Sequence, residues 1–224
     1  MIVNEIFYSI QGEGSLAGTP SVFIRLAGCP LRCRWCDTKY AWHDSAGEKH
    51  SPEQIKLDIG GHPTDHLVIT GGEPMTTPHL KDFLAPFAKM HITIETSGIA
   101  FVPGLPCDLM SISPKLSNST PEDAETARDH EENRLNLPAL RQLIDTYDYQ
   151  LKFVVDHPAD LDEIADTLKA LKNVRFDKVL LMPQAANLQE YIEKSRFLAQ
   201  ICKQTGFAFS PRLQLLLWDG QKGK

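Results

Sequence analysis

Cys29-Pro30-Leu31-Arg32-Cys33-Arg34-Trp35-Cys36 places three thiols within eight residues of a chain that has only five. Structural zinc sites and electron-transfer clusters take four protein ligands, whereas a metal centre that does chemistry keeps one position open. Three thiols without a local fourth therefore predict a [4Fe-4S] cluster held by Cys29, Cys33 and Cys36, its fourth iron free to take a small molecule. The alternative is a zinc site completed by Asp37 or His43. Packing gives no reason to cluster sulfur among Pro, Arg and Asp, while the isolated Cys107 and Cys202 read as small core hydrophobes.

The cysteine loop follows the apolar run 21–27, the first of six short runs rich in Val, Ile and Leu; the others are 67–70, 92–96, 109–113, 151–155 and 179–182. Runs without clean alternation predict strands buried on both faces, as in a parallel sheet covered by crossover helices. Helix starts are marked by Ser51-Pro52 and Thr77-Pro78; Asp160 is expected to cap a helix running to Leu171, and Asn187 one over 188–205 that Gly206 ends. In the last helix Leu188, Ile192, Ser195, Phe197, Leu198 and Ile201 form a stripe at helical spacing read as core packing. Residues 115–136 turn polar and charged, a surface loop or short helical excursion with a solvated face. Residues 207–218 read as another strand and 219–224 as a fraying tail.

Strand, helix and strand in repetition predict either a doubly wound α/β sheet or an incomplete α/β barrel. In both, ligands gather at the carboxyl ends of the strands. The polar motifs fall there: the cysteine loop, Thr70-Gly71-Gly72-Glu73-Pro74, Glu95-Thr96-Ser97-Gly98, Ser113-Pro114-Lys115 and Met182-Pro183-Gln184. Paired glycines let backbone groups approach a ligand closely, although Gly-Gly-Glu-Pro alone is also a plain turn.

The chain's 224 residues suit one core, so a single domain over 1–224 is expected. A net charge of -6, with 23 basic residues in no long run, argues against a nucleic-acid partner. Met1-Ile2-Val3-Asn4-Glu5 has neither a basic nor an apolar leader region and no stretch is long enough to span a bilayer, which predicts a cytoplasmic protein without a membrane partner. An odd cysteine count in a reducing compartment favours metal or redox use over disulfides. None of the eight histidines adjoins a second candidate ligand; His43 and His50 read as loop residues.

Cys-x3-Cys-x2-Cys after the first core strand, followed by Gly-Gly-Glu-Pro after the second, resembles the radical S-adenosylmethionine superfamily. Within it, Asn4-Glu5-Ile6-Phe7, Ile10-Gln11-Gly12-Glu13-Gly14, Phe23-Ile24-Arg25-Leu26-Ala27-Gly28-Cys29, Cys36-Asp37-Thr38 and the four later motifs resemble the 7-carboxy-7-deazaguanine synthase family. The likeness runs to Lys115 and resumes loosely at Gln150-Leu151-Lys152 and Leu181-Met182-Pro183.

The resemblance implies an incomplete TIM-like barrel of about six parallel strands with outer helices. It implies a lyase that contracts 6-carboxy-5,6,7,8-tetrahydropterin to 7-carboxy-7-deazaguanine with loss of ammonia, in 7-deazapurine (queuosine-type) biosynthesis. The cofactors would be the [4Fe-4S] cluster, S-adenosylmethionine and Mg2+. The cluster would pass one electron to the sulfonium and release a 5′-deoxyadenosyl radical, so no protein group is assigned as catalyst. A flavodoxin or ferredoxin would be the one-electron donor, and the assembly a homodimer.

By match, Ile10, Gln11, Gly12, Arg25 and Thr70 would bind substrate, with Arg25 offering a bidentate fork to its carboxylate; a structural ion pair is the alternative role for Arg25. Trp35, Cys36, Asp37 and Gly72 would surround S-adenosylmethionine, together with Ser113, Pro114 and Lys115 and with Met182, Pro183, Gln184 and Ala185. Thr38 would ligate Mg2+, a hard ion that favours oxygen. Glu13 could accept from an aminopyrimidine or stand as a solvated charge. A glycyl-radical activating enzyme shares the cysteine spacing, and a zinc-stabilised binding module would be a non-enzymatic rival. Many family members end in a Thr-His-Lys-Tyr-Leu-Asn type tail, but this chain has Arg212-Leu213-Gln214-Leu215-Leu216-Leu217-Trp218, which leaves contacts from the C-terminus open.

Overall fold

A computed structural model describes residues 1–221. Its strands are β1 (Ile2–Ile10), β2 (Pro20–Leu26), β3 (Glu48–Lys49), β4 (His66–Gly71), β5 (His91–Thr96), β6 (Leu109–Ile112), β7 (Tyr149–Val155), β8 (Val179–Pro183) and β9 (Ala208–Phe209). They form one sheet in the order β3-β1-β2-β4-β5-β6-β7-β8-β9. From β2 to β9 every pairing is parallel, while β1 is antiparallel to both β2 and β3. The end strands β3 and β9 do not pair with each other, so the barrel is incomplete.

All six expected strands are present, because a run of Val, Ile and Leu buried on both faces has no other way to satisfy its backbone. Ile24, Ile69, Ile94, Ile112, Leu151, Phe153 and Leu181 are fully buried in one continuous core. The N-terminal β1 and the short β3 are additions that the sequence reading did not contain.

The helices are α1 (Pro52–Ile59), α2 (Leu80–Leu84), α3 (Ala124–Asn133), α4 (Leu137–Thr146), α5 (Asp160–Leu171), α6 (Leu188–Thr205) and α7 (Leu213–Trp218). Ser51 and Gln54 make a reciprocal capping box on α1. The Asn187 side chain accepts from the Glu190 amide and Gly206 ends α6 at φ 78°, as expected.

Other expectations are corrected. Thr77-Pro78 does not start a helix; Pro74–Thr76 forms a 3₁₀ turn and α2 begins at Leu80 behind a left-handed His79. Asp160 does not cap its own helix; its carboxylate turns back to accept from the amides of Asp156 (2.7 Å) and His157 (2.9 Å). Among the described residues no helix joins β5 to β6, where Pro103, Gly104 and Pro106 forbid one. On α6 Tyr191, Leu198 and Cys202 are buried; of the expected stripe Leu198 is buried and Leu188 and Ile201 pack against buried clusters, while Ile192 and Phe197 are exposed.

Residues 207–218 hold only the two-residue β9 before Pro211 stops it, and α7 follows. The last three residues of the expected fraying tail lie outside the described residues. Among the described residues no helix is long and apolar enough to cross a membrane.

Candidate functional site

The carboxyl ends of the parallel strands hold two adjoining cavities, of about 180 Å³ and 550 Å³. Cys29, Cys33 and Cys36 line the smaller one. Their loop is tied on several sides: the Cys29 amide donates to the Trp42 carbonyl (3.0 Å) and the Cys36 amide to Cys33 (3.1 Å). The Arg34 amide donates to the Ser119 carbonyl (2.8 Å). Burial pushes the Cys29 thiol up to about 12, helped by the Glu73 carboxylate, and the Cys33 thiol up to about 11. Such sulfurs become thiolates when a cation compensates them, so their protons leave as metal binds.

Among the described residues no three His, Cys, Asp or Glu side chains converge on one metal ion. The zinc alternative fails on this geometry: Asp37 is engaged by Thr38 and Arg212, and His43 is exposed. Three cysteines lining one cavity suit a cluster, whose ligands each meet a different iron.

Gly71, Gly72 and Glu73 of the Gly-Gly-Glu-Pro turn line the same cavity. The Gly72 amide donates to the Leu26 carbonyl and the Glu73 amide to the Gly28 carbonyl, each at 2.8 Å, which locks the turn against the start of the cysteine loop. A Cβ on Gly72 would sit 1.8 Å from the Gly28 oxygen. The Glu73 carboxylate is buried and accepts from Met75 N (3.0 Å), Thr96 Oγ1 (2.5 Å), Ser97 N (2.8 Å) and Ser97 Oγ. This gives Thr96 and Ser97, at the end of β5, their role: their hydroxyls satisfy the glutamate that would otherwise be a bare buried charge.

The residues matched to S-adenosylmethionine mostly converge here. Trp35, Cys36, Asp37, Gly72, Ser113 and Lys115 line the smaller cavity, as do Met182 and Gln184; Ala185 lines the larger one. Pro114 and Pro183 line neither. Lys115 is not solvated: its Nζ donates to the Ser113 carbonyl (2.8 Å) and hydroxyl (2.9 Å) and stands 5.7 Å from the Trp35 ring centre.

Ile10, Gln11, Gly12, Arg25 and Thr70 all line the larger cavity. The Gln11 amide is already engaged, donating to Glu95 (3.1 Å) and accepting from the Glu13 amide (3.1 Å). Thr70 donates to the second Glu95 oxygen (2.8 Å). Arg25 Nε donates to Glu5 (2.7 Å), and its guanidinium stands 5.7 Å from the Phe7 ring and 5.9 Å from the Tyr40 ring. Thr38 lines both cavities and donates to Asp37 (2.8 Å).

Several site residues were missed from sequence. Glu13 is no solvated charge: its carboxylate pairs with Lys152, accepts from Gln214 (2.7 Å) and lies 3.6 Å from Arg212 Nε. Burial opposes its ionisation, but Lys152 and Arg212 outweigh that and hold it at about 2. Burial likewise opposes the Lys152 charge, and Glu13 and Glu95 raise its pKa above the ordinary range. The available signal was a charge inside two strands read as buried on both faces, Glu95 and Lys152, because such charges require partners.

The charged 115–136 segment braces the cysteine loop. His130, buried on α3, accepts from the Arg32 amide at Nδ1 (3.2 Å) and contacts Ser119 Oγ at Nε2 (2.9 Å). Trp35 Nε1 donates to the Asn118 carbonyl (3.1 Å).

The Radical SAM superfamily matches residues 23–184. The chain is 37% identical to the 7-carboxy-7-deazaguanine synthase of Halobacterium salinarum, covering 97% of this chain and 90% of that protein. It is 36% identical to the enzyme of the same name from Rhodopirellula baltica, covering 100% and 88%. Among solved structures it resembles QueE from Escherichia coli, with a TM-score of 0.70 and 28% identity over 93% of this chain and 92% of that one.

Proposed function

Because the chain belongs to the radical S-adenosylmethionine superfamily and, within it, to the 7-carboxy-7-deazaguanine synthase family, we propose that it converts 6-carboxy-5,6,7,8-tetrahydropterin to 7-carboxy-7-deazaguanine. Ammonia is lost, and the product enters 7-deazapurine (queuosine-type) biosynthesis. The observation that carries the proposal is the common wall of the two cavities: Cys36, Thr38 and Thr70 line both, so a thiol-lined chamber opens beside a polar one.

Cys29, Cys33 and Cys36 hold the [4Fe-4S] cluster, and the Gly72–Glu73 turn, Ser113 and Met182 form the walls for S-adenosylmethionine. When bound, these groups supply the one-electron chemistry that removes a hydrogen atom from the substrate. The chain's own residues bind and orient. Arg25, clamped by Glu5 and flanked by two aromatic rings, turns its remaining N–H groups to the substrate carboxylate. Glu13 and Glu95, carboxyl acceptors fixed by neighbours, suit the N–H-rich edge of an aminopyrimidine. The Thr38 hydroxyl directs its proton to Asp37 and keeps lone pairs with which it would ligate Mg2+.

The chain acts in the cytoplasm, as a homodimer fed by a flavodoxin or ferredoxin. Anaerobic reconstitution with iron and sulfide, followed by S-adenosylmethionine, a strong reductant and the carboxypterin, tests the activity. The deazapurine is the expected product; its absence from fully reduced, cluster-loaded enzyme would overturn the assignment.

A further inference from the structure

Arg212 enters the site from the C-terminal segment in which this chain departs from the family pattern. It is 8% exposed and lines both cavities. Its guanidinium meets three separate stretches of chain. Nη1 donates to the Ala185 carbonyl beyond β8 (2.7 Å), Nη2 donates to Asp37 Oδ2 in the cysteine loop (3.2 Å), and Nε lies 3.6 Å from Glu13 Oε1 without a hydrogen-bond partner. No other contact in the site joins the turn after β1, the loop after β2 and the end of β8 through one side chain among the described residues.

The Asp37 contact reaches further. Asp37 uses its other oxygen to accept from Thr38 Oγ1 at 2.8 Å. A threonine hydroxyl has one proton, and with that proton directed to Asp37 its lone pairs face the cavity. Asp37 is two-thirds exposed, and among the described residues Arg212 is the cation that hydrogen-bonds its carboxylate while the other oxygen takes the Thr38 proton. Arg212 thus stands to Thr38 as an outer partner stands to a metal ligand, and such partners set ligand orientation and affinity.

We propose that Arg212 is a positioning residue, which fixes Asp37 so that Thr38 presents its oxygen to the metal, and fixes Glu13 on the substrate side of the same cavity. The inference rests on the Mg2+ reading of Thr38 given above. The backbone that carries Arg212 is held independently of the guanidinium: the Leu213 amide donates to the Gly12 carbonyl (2.9 Å), and the Arg212 amide donates to Tyr191 Oη (3.3 Å). Replacing the side chain therefore leaves the segment in place.

The test compares wild type, Arg212→Gln, Arg212→Lys, Asp37→Asn and the double variant Asp37→Asn with Arg212→Gln, all cluster-loaded under anaerobic conditions. Arg175→Gln, at an exposed surface ion pair, is the control. Mn2+ serves as the probe for the Mg2+ site, its binding read by electron paramagnetic resonance, beside the pterin KM, kcat and melting temperature. Arg212→Gln is expected to weaken Mn2+ binding by about 10- to 100-fold and to raise KM more than it lowers kcat, with Arg212→Lys intermediate. In the Asp37→Asn background the loss of Arg212 should add little to the Mn2+ defect, because the two act in series. Unchanged Mn2+ affinity and KM in Arg212→Gln, full additivity in the double variant, or losses that merely follow a fall in melting temperature would each overturn the proposal. Absence of Mn2+ binding in wild type is read before any variant; it defeats the Mg2+ reading of Thr38 and the inference with it, while product formation by wild type reports separately on the proposed activity.

Discussion

Glu13 and Lys152, 139 residues apart in the chain, form an ion pair at the wall of the site, with Lys152 only 6% exposed. The folded Glu13 pKa, about 2, lies below the ordinary 4.5, so its stabilisation is complete above about pH 4.5 and is lost as pH falls toward 2. The Lys152 pKa is raised, so its share is complete below the ordinary lysine value of 10.5 and is lost only as pH rises through the higher folded value. Lys152→Met leaves a buried carboxylate short of its main partner and should cost about 3–5 kcal/mol at neutral pH. The loss on acidification should also be smaller in the variant and finish at higher pH, because without Lys152 the folded Glu13 carboxyl titrates nearer its ordinary value. Urea unfolding of cluster-free protein across this range measures both effects, and an unchanged midpoint would show that the pair is not buried in solution.

Glu73 is satisfied wholly by donors, so Glu73→Gln sets an amide N–H against hydroxyls and backbone amides. About 1–3 kcal/mol of stability should be lost. Affinity for S-adenosylmethionine, read by equilibrium dialysis, should fall with it because this turn is a wall of the thiol cavity. Gly72→Ala meets a backbone carbonyl rather than a flexible side chain and is expected to cost about 3 kcal/mol or more. It should take up little iron on reconstitution; wild-type iron content would refute the close approach.

His130 couples the acidic helix to the cysteine loop. Accepting at Nδ1 from the Arg32 amide requires the neutral ring with its proton on Nε2, directed to Ser119. Burial lowers its pKa, with Arg134 and Lys115 adding to the effect against Glu131. A folded pKa below the unfolded one means that stability is complete above about pH 6.5 and is lost as pH falls through the lower folded value. Iron release from the reconstituted protein should therefore accelerate below about pH 6, and His130→Gln should flatten that dependence. An identical pH profile in the variant would remove His130 from the explanation.

Arg25→Lys keeps the charge but loses the planar fork and the fit between Phe7 and Tyr40. The pterin KM should rise by about tenfold, equivalent to about 1.4 kcal/mol. Affinity for S-adenosylmethionine should remain within about twofold, since Arg25 does not line the thiol cavity. A proportional loss of both would mean that the ion pair to Glu5 is structural.

Local chemistry made much of this protein readable from its chain. Six runs of Val, Ile and Leu could only be strands covered on both faces, Ser51 and Asn187 carry their caps within three residues, and the cysteine spacing lies within one loop. Arg25 and Thr70 were placed at strand ends by the same local rules, and the parallel register brings them side by side.

Tertiary structure alone decided the polar partners. The sequence shows that Lys152 and Glu95 are charges in buried strands, but not that Glu13 and Gln11 answer them, nor that His130 and Asn118 of an acidic segment brace the thiols. It read residues 207–218 as a strand because leucine content says nothing of where a chain must turn; Pro211 stops β9, and the start of α7 brings Gln214, with Arg212 just before it, to Glu13. Hydrophobic burial is set by each residue's own side chain, whereas a buried charge is stabilised by whichever opposite charge the closed fold delivers, and that partner can stand anywhere in the sequence.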